Sequence, residues 1–303
     1  NPKLSLDISK KLEVPLTNLK LDRFSDGEVS CVVHESISGK DVFIIQPCAN
    51  PVNDHIMELL LLISCAKRCG AKRVTAVIPY FGYKYHRRGE PISTKNQSRF
   101  LWSAAGDFAN MLKTMGVDRI ISVDFHRPGQ GQETCFFDTT IPVETVSSND
   151  LCISYIKNNI PLADNVTIVA ASPDFIKKAR RFQLGLKNLT DSNDLRKNIG
   201  LAAFLRQIDT SEVRTSRKIS RLLGDVKGSD VIIIDDVVDT GGTLSNICHR
   251  LKIEGAKNIY ICASHGMFTE NSMNIIKLAP VEKVIVTNSL PLPENCSNKI
   301  VQV

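Results

Sequence analysis

The amino-acid sequence predicts an α/β protein of two similar domains, each a mostly parallel sheet flanked by helices. Three observations predict it. Runs such as DVFII from Asp41 and DVIII from Asp230 are apolar almost throughout, the pattern of strands covered by helices on both faces. Each run leads into an amphipathic stretch of helical length, then Gly-Ala-Lys, then a second apolar run. This strand–turn–helix–strand unit occurs once in each half, with 29 residues from Asp41 to Gly70 and 25 from Asp230 to Gly255. Unrelated units of this kind also resemble one another. Taken as a repeat, it places a boundary near Ile141-Pro142 and divides the chain into domains 1–141 and 142–303.

In chain order, DVFIIQP from Asp41 is a strand. NDHIMELLLLISCAKRCGAK is a helix stopped by Gly70, and RVTAVIPYF is the next strand. Segment 84–103, YKYHRRGEPISTKNQSRFLW, is polar with Pro and Gly, and reads as a long loop. RIISVDF (119–125) and NVTIVAAS (165–172) are strands. Segment 187–221 is polar around the short run GLAAFL. Its latter part, QIDTSEVRTSRKISR, suits either a mobile lid or a plain solvated connection. DVIIIDD from Asp230 is a strand, followed by a helix from near Leu244 that stops at Gly255. NIYICASHG and VEKVIVTNS (281–289) complete the second sheet.

Composition narrows the classes. The 303 residues are 43% hydrophobic and 23% charged, enough for an ordinary core. The net charge of +6 is dispersed and no nucleic-acid motif accompanies it, so a nucleic-acid partner is not expected. The nine cysteines form no CxxC pair. Cys65 and Cys69 share a helix face, which reads as packing in a reducing compartment rather than as a zinc site. MELLLLISCA is too short to span a bilayer and no leader pattern is seen, so a soluble cytoplasmic protein without a membrane partner is expected.

Residues 231–244, VIIIDDVVDTGGTL, carry the chemistry. Asp235 and Asp236 stand at the carboxyl end of a strand, the edge where open α/β sheets bind ligands. Thr240, Gly241, Gly242 and Thr243 then open a helix. Main-chain N–H groups there, with two hydroxyls, make a phosphate cradle that glycines let an anion approach closely. Carboxylates repel phosphate, but they hold sugar hydroxyls or Mg²⁺. A molecule with phosphate at one end and a diol at the other, such as ribose 5-phosphate, fits both. A phosphate loop of the GKS/T type needs a lysine that is absent here. The DDxxD reading of Asp235 to Asp239 belongs on a helix, against VIII before it and GG after it. A plain helix cap needs one aspartate, not three.

The stretch resembles the phosphoribosyl-pyrophosphate (PRPP) binding motif of the phosphoribosyltransferase-type fold. RFSDGEVSCVVHESISGKDVFIIQ (23–46), DHIMELLLLISCAKRCGAKRVTAVIPYFGY (54–83), SVDFH (122–126), ASPD (171–174) and VTNSLPLP (286–293), in that order, resemble the ribose-phosphate pyrophosphokinase family. The resemblance implies transfer of the diphosphoryl group of ATP to the 1-hydroxyl of ribose 5-phosphate, giving PRPP and AMP, with Mg²⁺ as cofactor. It implies that Thr240 to Thr243 bind the 5-phosphate and that Asp235, Asp236 and Asp239 face the ribose and its metal. It implies that Phe24 stacks on adenine, with Asp26 and Glu28 on its polar edge, reaching a neighbouring subunit of a homo-oligomer, dimer or hexamer. His126 and Asp174 match positions near the ATP metal.

Three stretches depart from the family. Its Tyr-Ala-Arg-Gln-Asp becomes Tyr83-Lys84-Tyr85-His86-Arg87, so Tyr85 and His86 stand at the nucleotide-contacting positions. Its SPDxGG loop becomes Ser172-Pro173-Asp174-Phe175-Ile176-Lys177, followed by Lys178, with the glycines replaced. Where its lid carries a Lys and an Arg, this chain offers Arg206 as the catalytic cation, with Arg214, Arg217 and Lys218 further along. Two readings follow: an active synthetase with a rebuilt ATP site, or a non-catalytic synthetase-like regulatory subunit that binds ribose 5-phosphate or PRPP beside a catalytic partner.

Overall fold

A computed structural model of the chain describes residues 1–83, 104–125, 137, 140–189, 198–207 and 219–303. Of Leu189, Arg206, Gln207, Ile219 and Ser220 it describes the backbone alone. Two compact units follow one another, with the changeover between Val146 and Ser147.

The first unit begins with helix α1 (Pro2–Leu12). The Asn1 side chain accepts the Leu4 N–H at 3.2 Å, and Glu13 ends the helix in the left-handed region at φ 54°. Strands β1 (Leu19–Arg23) and β2 (Val29–Val33) pair as an antiparallel hairpin. Then follow β3 (Asp41–Ile45), α2 (Val52–Arg68), β4 (Arg73–Ile78), α3 (Ala104–Thr114), β5 (Arg119–Val123) and β6 (Val143–Val146). The last four strands form a parallel sheet in the order β3-β4-β5-β6. Helix α2 buries Leu59, Ile63 and Ala66 against Val74, Ala76 and Ile78 of β4. Beyond the carboxyl end of β4, the Phe81 ring centroid lies 4.9 Å from that of Phe108 and 5.3 Å from that of Phe125.

The second unit contains α4 (Asn149–Asn159), β7 (Asn165–Ala170), a 3-10 turn (Pro173–Phe175), α5 (Ile176–Leu189), β8 (Asn198–Gln207) and β9 (Ile219–Leu223). It continues through β10 (Asp230–Val238), α6 (Gly242–Ile253), β11 (Ile259–Gly266), α7 (Ser272–Leu278), β12 (Lys283–Val286) and β13 (Ile300–Gln302). The strands form one sheet in the order β13-β12-β11-β10-β7-β8-β9, parallel except for β9. Successive residues of β10 serve opposite faces. Val231 and Ile233 join one apolar cluster, while Ile232 and Ile234 join the other. That two-sided burial is why the run reads as apolar throughout.

The repeat extends to its corners. Both Gly-Ala-Lys turns are Schellman endings, with glycine in the left-handed region at φ 77° (Gly70) and φ 89° (Gly255). After α2, Gly70 N–H donates to Lys67 and Ala71 N–H to Ala66. After α6, Gly255 N–H donates to Lys252 and Ala256 N–H to Leu251.

Two local expectations change. Helix α6 starts at Gly242 rather than near Leu244. Within the polar segment 187–221, strand β8 extends two residues beyond GLAAFL at each end, and β9 returns along it with Leu205 opposite Arg221. Polar residues fit there because β9 is an edge strand, with one side open to water. Segment 84–103 and residues 208–218 lie outside the described residues.

Candidate active site

The order of the second sheet creates a crevice. From β7 the chain moves outward to β8 and β9, then returns to β10 and moves the other way to β11. Neighbouring strands β7 and β10 therefore send their connections in opposite directions, and ligands bind at such a switch point, beyond the carboxyl ends of the strands. Strand β10 pairs with β7 only as far as Ile234–Ala170, but with β11 as far as Val238–Gly266. Asp235 is thus the first β10 residue beyond its partner on the β7 side. On that side the chain has turned into Pro173–Phe175, which carries Asp174.

The acidic residues differ in surroundings. Asp236 is buried, at 3% exposure. The Asp235 carboxylate accepts the Asp236 N–H at 2.9 Å. Desolvation first, and the adjacent Asp236 charge second, push the Asp235 carboxyl well above the ordinary carboxylate range. Asp239 is exposed, and its Oδ1 accepts a hydrogen bond from Thr269 Oγ1. Asp174 is partly buried.

Gly241 caps α6 at φ 77°, and its carbonyl accepts the Ser245 N–H at 2.8 Å. The first turn of any helix offers N–H groups without intrahelical acceptors, which suits an anion. A Cβ on Gly242 would meet nothing closer than Thr240 Oγ1, at 3.8 Å. Packing within the unit does not require a glycine there.

Arg206 lies in β8 beyond Ala203, the last residue paired with β7, and opposite Ser220 of β9. Its backbone therefore stands at the same carboxyl edge as Asp174 and Asp235. Phe24, Asp26 and Glu28 form the tip of the β1–β2 hairpin in the first unit. Phe24 N–H donates to the Glu28 carbonyl at 2.8 Å, and Glu28 N–H to Asp26 Oδ1 at 3.1 Å. This closed turn holds the Phe24 ring in solvent, at 58% exposure. Tyr85, His86 and His126 lie outside the described residues, as do Arg214, Arg217 and Lys218.

Two participants are missed by sequence reasoning. Thr269, which holds Asp239, follows β11 in a turn with no local signature. Lys178 had a signal: Lys178, Ala179, Phe182 and Leu186 share one helical face of α5, and all four are buried. Lys178 therefore points inward, while Lys177 is exposed.

Comparison with known proteins bears on the same residues. A family model described as the N-terminal domain of ribose phosphate pyrophosphokinase matches residues 1–116, and one described as a phosphoribosyl synthetase-associated domain matches residues 202–302. The ribose-phosphate pyrophosphokinase of Synechocystis sp. is 34% identical over 297 residues, covering 97% of this chain and 80% of that protein. The chain belongs to the ribose-phosphate pyrophosphokinase family. The relative from Chlorobaculum tepidum is 36% identical over 305 residues, covering 99% of this chain and 84% of its own. The crystal structure of phosphoribosylpyrophosphate synthetase from Mycobacterium smegmatis superposes with a TM-score of 0.83 at 30% identity, covering 100% of this chain and 91% of that one. The pyrophosphokinase fold thus spans both units, and the two-unit α/β architecture is that of the family.

Proposed function

We propose that this chain transfers the diphosphoryl group of ATP to the 1-hydroxyl of ribose 5-phosphate, giving PRPP and AMP. One observation carries the assignment to ribose 5-phosphate: a carboxylate pair at the switch point of the sheet leads directly into a hydroxyl-rich helix N-terminus. Thr240, Thr243 and the N–H groups of α6 take the 5-phosphate. Asp235, Asp236 and Asp239 take the ribose hydroxyls, which fixes the 1-hydroxyl for in-line attack. Arg206 supplies positive charge to the moving phosphates, and Phe24, Asp26 and Glu28 take adenine within a homo-oligomer, dimer or hexamer. A cytoplasmic location fits, and among the described residues no helix is long and apolar enough to cross a membrane.

The oxygen donors at this edge suit Mg²⁺ rather than a softer ion. Among the described residues no three His, Cys, Asp or Glu side chains gather as a metal cage. Mg²⁺ ordinarily takes one or two carboxylates and draws its other ligands from substrate and water. Asp174 and the Asp235–Asp236 pair are the carboxylates at this edge that would hold it. When bound, the ion offsets charge spread over the transferring phosphates.

A second reading is favoured by the turn at Asp174. Phe175, which follows Asp174 directly, is buried in the core at 4% exposure. The chain would then bind ribose 5-phosphate and leave transfer to a catalytic partner. Phosphorus NMR of the purified protein with ATP, ribose 5-phosphate, Mg²⁺ and inorganic phosphate separates the two. Equal production of AMP and PRPP establishes the synthetase. Ribose 5-phosphate binding without either product establishes the subunit.

A further inference from the structure

Lys178 is the only Lys or Arg that is buried among the described residues, at 5% exposure. Burying an ammonium is costly unless it is paired and hydrogen-bonded. The rest of its helix face is Ala179, Phe182 and Leu186, so packing alone would favour an apolar side chain there. Its Nζ donates to Ser264 Oγ at 2.5 Å and lies 3.4 Å from the main-chain carbonyl oxygen of Asp235. Ser264 Oγ is in turn 3.0 Å from Ser148 Oγ. One side chain on α5 thus reaches the exit of β10 and the end of β11. The two strands are neighbours in the sheet, and the crevice lies on the other side of β10, towards β7.

We infer that Lys178 is a positioning residue for the ribose 5-phosphate site, holding the main chain of Asp235 from beneath the sheet edge and so aiming the carboxylate pair into the crevice. The inference rests on the assignment of ribose 5-phosphate to that crevice. It also changes the meaning of one departure from the family. The stretch that replaces the SPDxGG glycines brings a buried cation in the following turn of helix.

Calorimetry tests it, with ribose 5-phosphate titrated into wild-type protein, Lys178→Met and Ser264→Ala in Mg²⁺, and with ATP titrated in parallel. Lys178→Met keeps the length of the side chain and removes the ammonium. The expected result is a ribose 5-phosphate Kd at least 10-fold weaker, with the ATP Kd within about 3-fold of wild type, because a positioning role acts on one ligand. Ser264→Ala, which keeps the charge and removes its 2.5 Å partner, is expected to weaken ribose 5-phosphate in the same direction by a smaller factor. Wild-type ribose 5-phosphate affinity in Lys178→Met overturns the inference, as does an equal loss for both ligands, which marks a purely structural role. If Lys178→Met does not fold, Ser264→Ala decides, and unchanged affinity there overturns it. Absence of ribose 5-phosphate binding by the wild type overturns the site assignment itself, a separate result.

Discussion

The main-chain N–H of Gly228 donates to the carbonyl of Gly255 at 2.9 Å, bridging the entry to β10 and the turn that ends α6. In the first unit Gly39 donates to Gly70 at 2.8 Å in the same way. The return bonds also match: Lys257 N–H reaches the Ser229 carbonyl and Lys72 N–H the Lys40 carbonyl, both at 2.9 Å. Shared corner geometry of this kind is far more specific than a shared strand–helix–strand pattern.

Equal corners predict equal penalties. Both glycines have positive φ, and a Cβ would meet Ser38 Oγ at 3.1 Å from Gly70 and Lys227 Cγ at 3.2 Å from Gly255. Gly70→Ala and Gly255→Ala are each expected to lose about 1–2 kcal/mol, the cost of a left-handed alanine. Urea unfolding measures both, and a loss at only one corner refutes the equivalence.

Adjacent glycines at the phosphate turn are expected to behave oppositely. Gly241→Ala forces an alanine into φ 77° and should lower stability. Gly242→Ala has room for its methyl and should leave the melting temperature unchanged, while weakening ribose 5-phosphate by ~10-fold or more through loss of close approach. A Gly242→Ala protein with wild-type affinity removes the anion from that turn.

The raised Asp235 carboxyl makes ligand-free stability depend on pH. Its folded state holds a proton more tightly than the unfolded chain. The stabilising contribution is full below the ordinary carboxylate range and is lost as pH rises through the elevated folded value. Across that window, stability falls with pH by at most about 1.4 kcal/mol per unit for this one proton. Asp235→Asn should flatten the slope and raise the ligand-free melting temperature at neutral pH, while severely weakening ribose 5-phosphate. Melting curves from pH 4 upward that overlay wild type contradict the account.

Arg206 stands where β8 has outrun β7, at the carboxyl edge of the sheet. Arg206→Ala is expected to lower turnover by ~10²–10³ while raising the ATP KM much less, because charge stabilisation of this kind acts mainly on the transition state. Wild-type turnover assigns the role to another cation, with Arg214, Arg217 and Lys218 next in line.

Much of the second sheet is legible in the sequence because its strands are buried on both faces. Ile232 and Ile233 face opposite cores, so no polar residue interrupts the run. The acidic turn is legible because three carboxylates and two glycines sit together in the chain. The crevice is not, since it depends on β7 and β10 becoming neighbours although β8 and β9 intervene in sequence. Strand β9 is hidden for a related reason. An edge strand with Ser220 and Arg221 lacks the apolar run that marks a central one. Lys178 is overlooked because a lysine beside a lysine reads as solvated surface. Only the spacing to Ala179, Phe182 and Leu186 shows which of the two turns inward.

The matched corners also align the two strands that leave them, Asp41 with Asp230 and Ile45 with Ile234. Gln46 and Pro47 then stand where Asp235 and Asp236 stand. Strand β3 ends at Ile45, while β10 continues to Val238. A dimer of identical subunits must repeat every change at both of its sites. Two similar units in one chain are free of that symmetry, so an acidic pair at the edge of one need not be matched at the edge of the other.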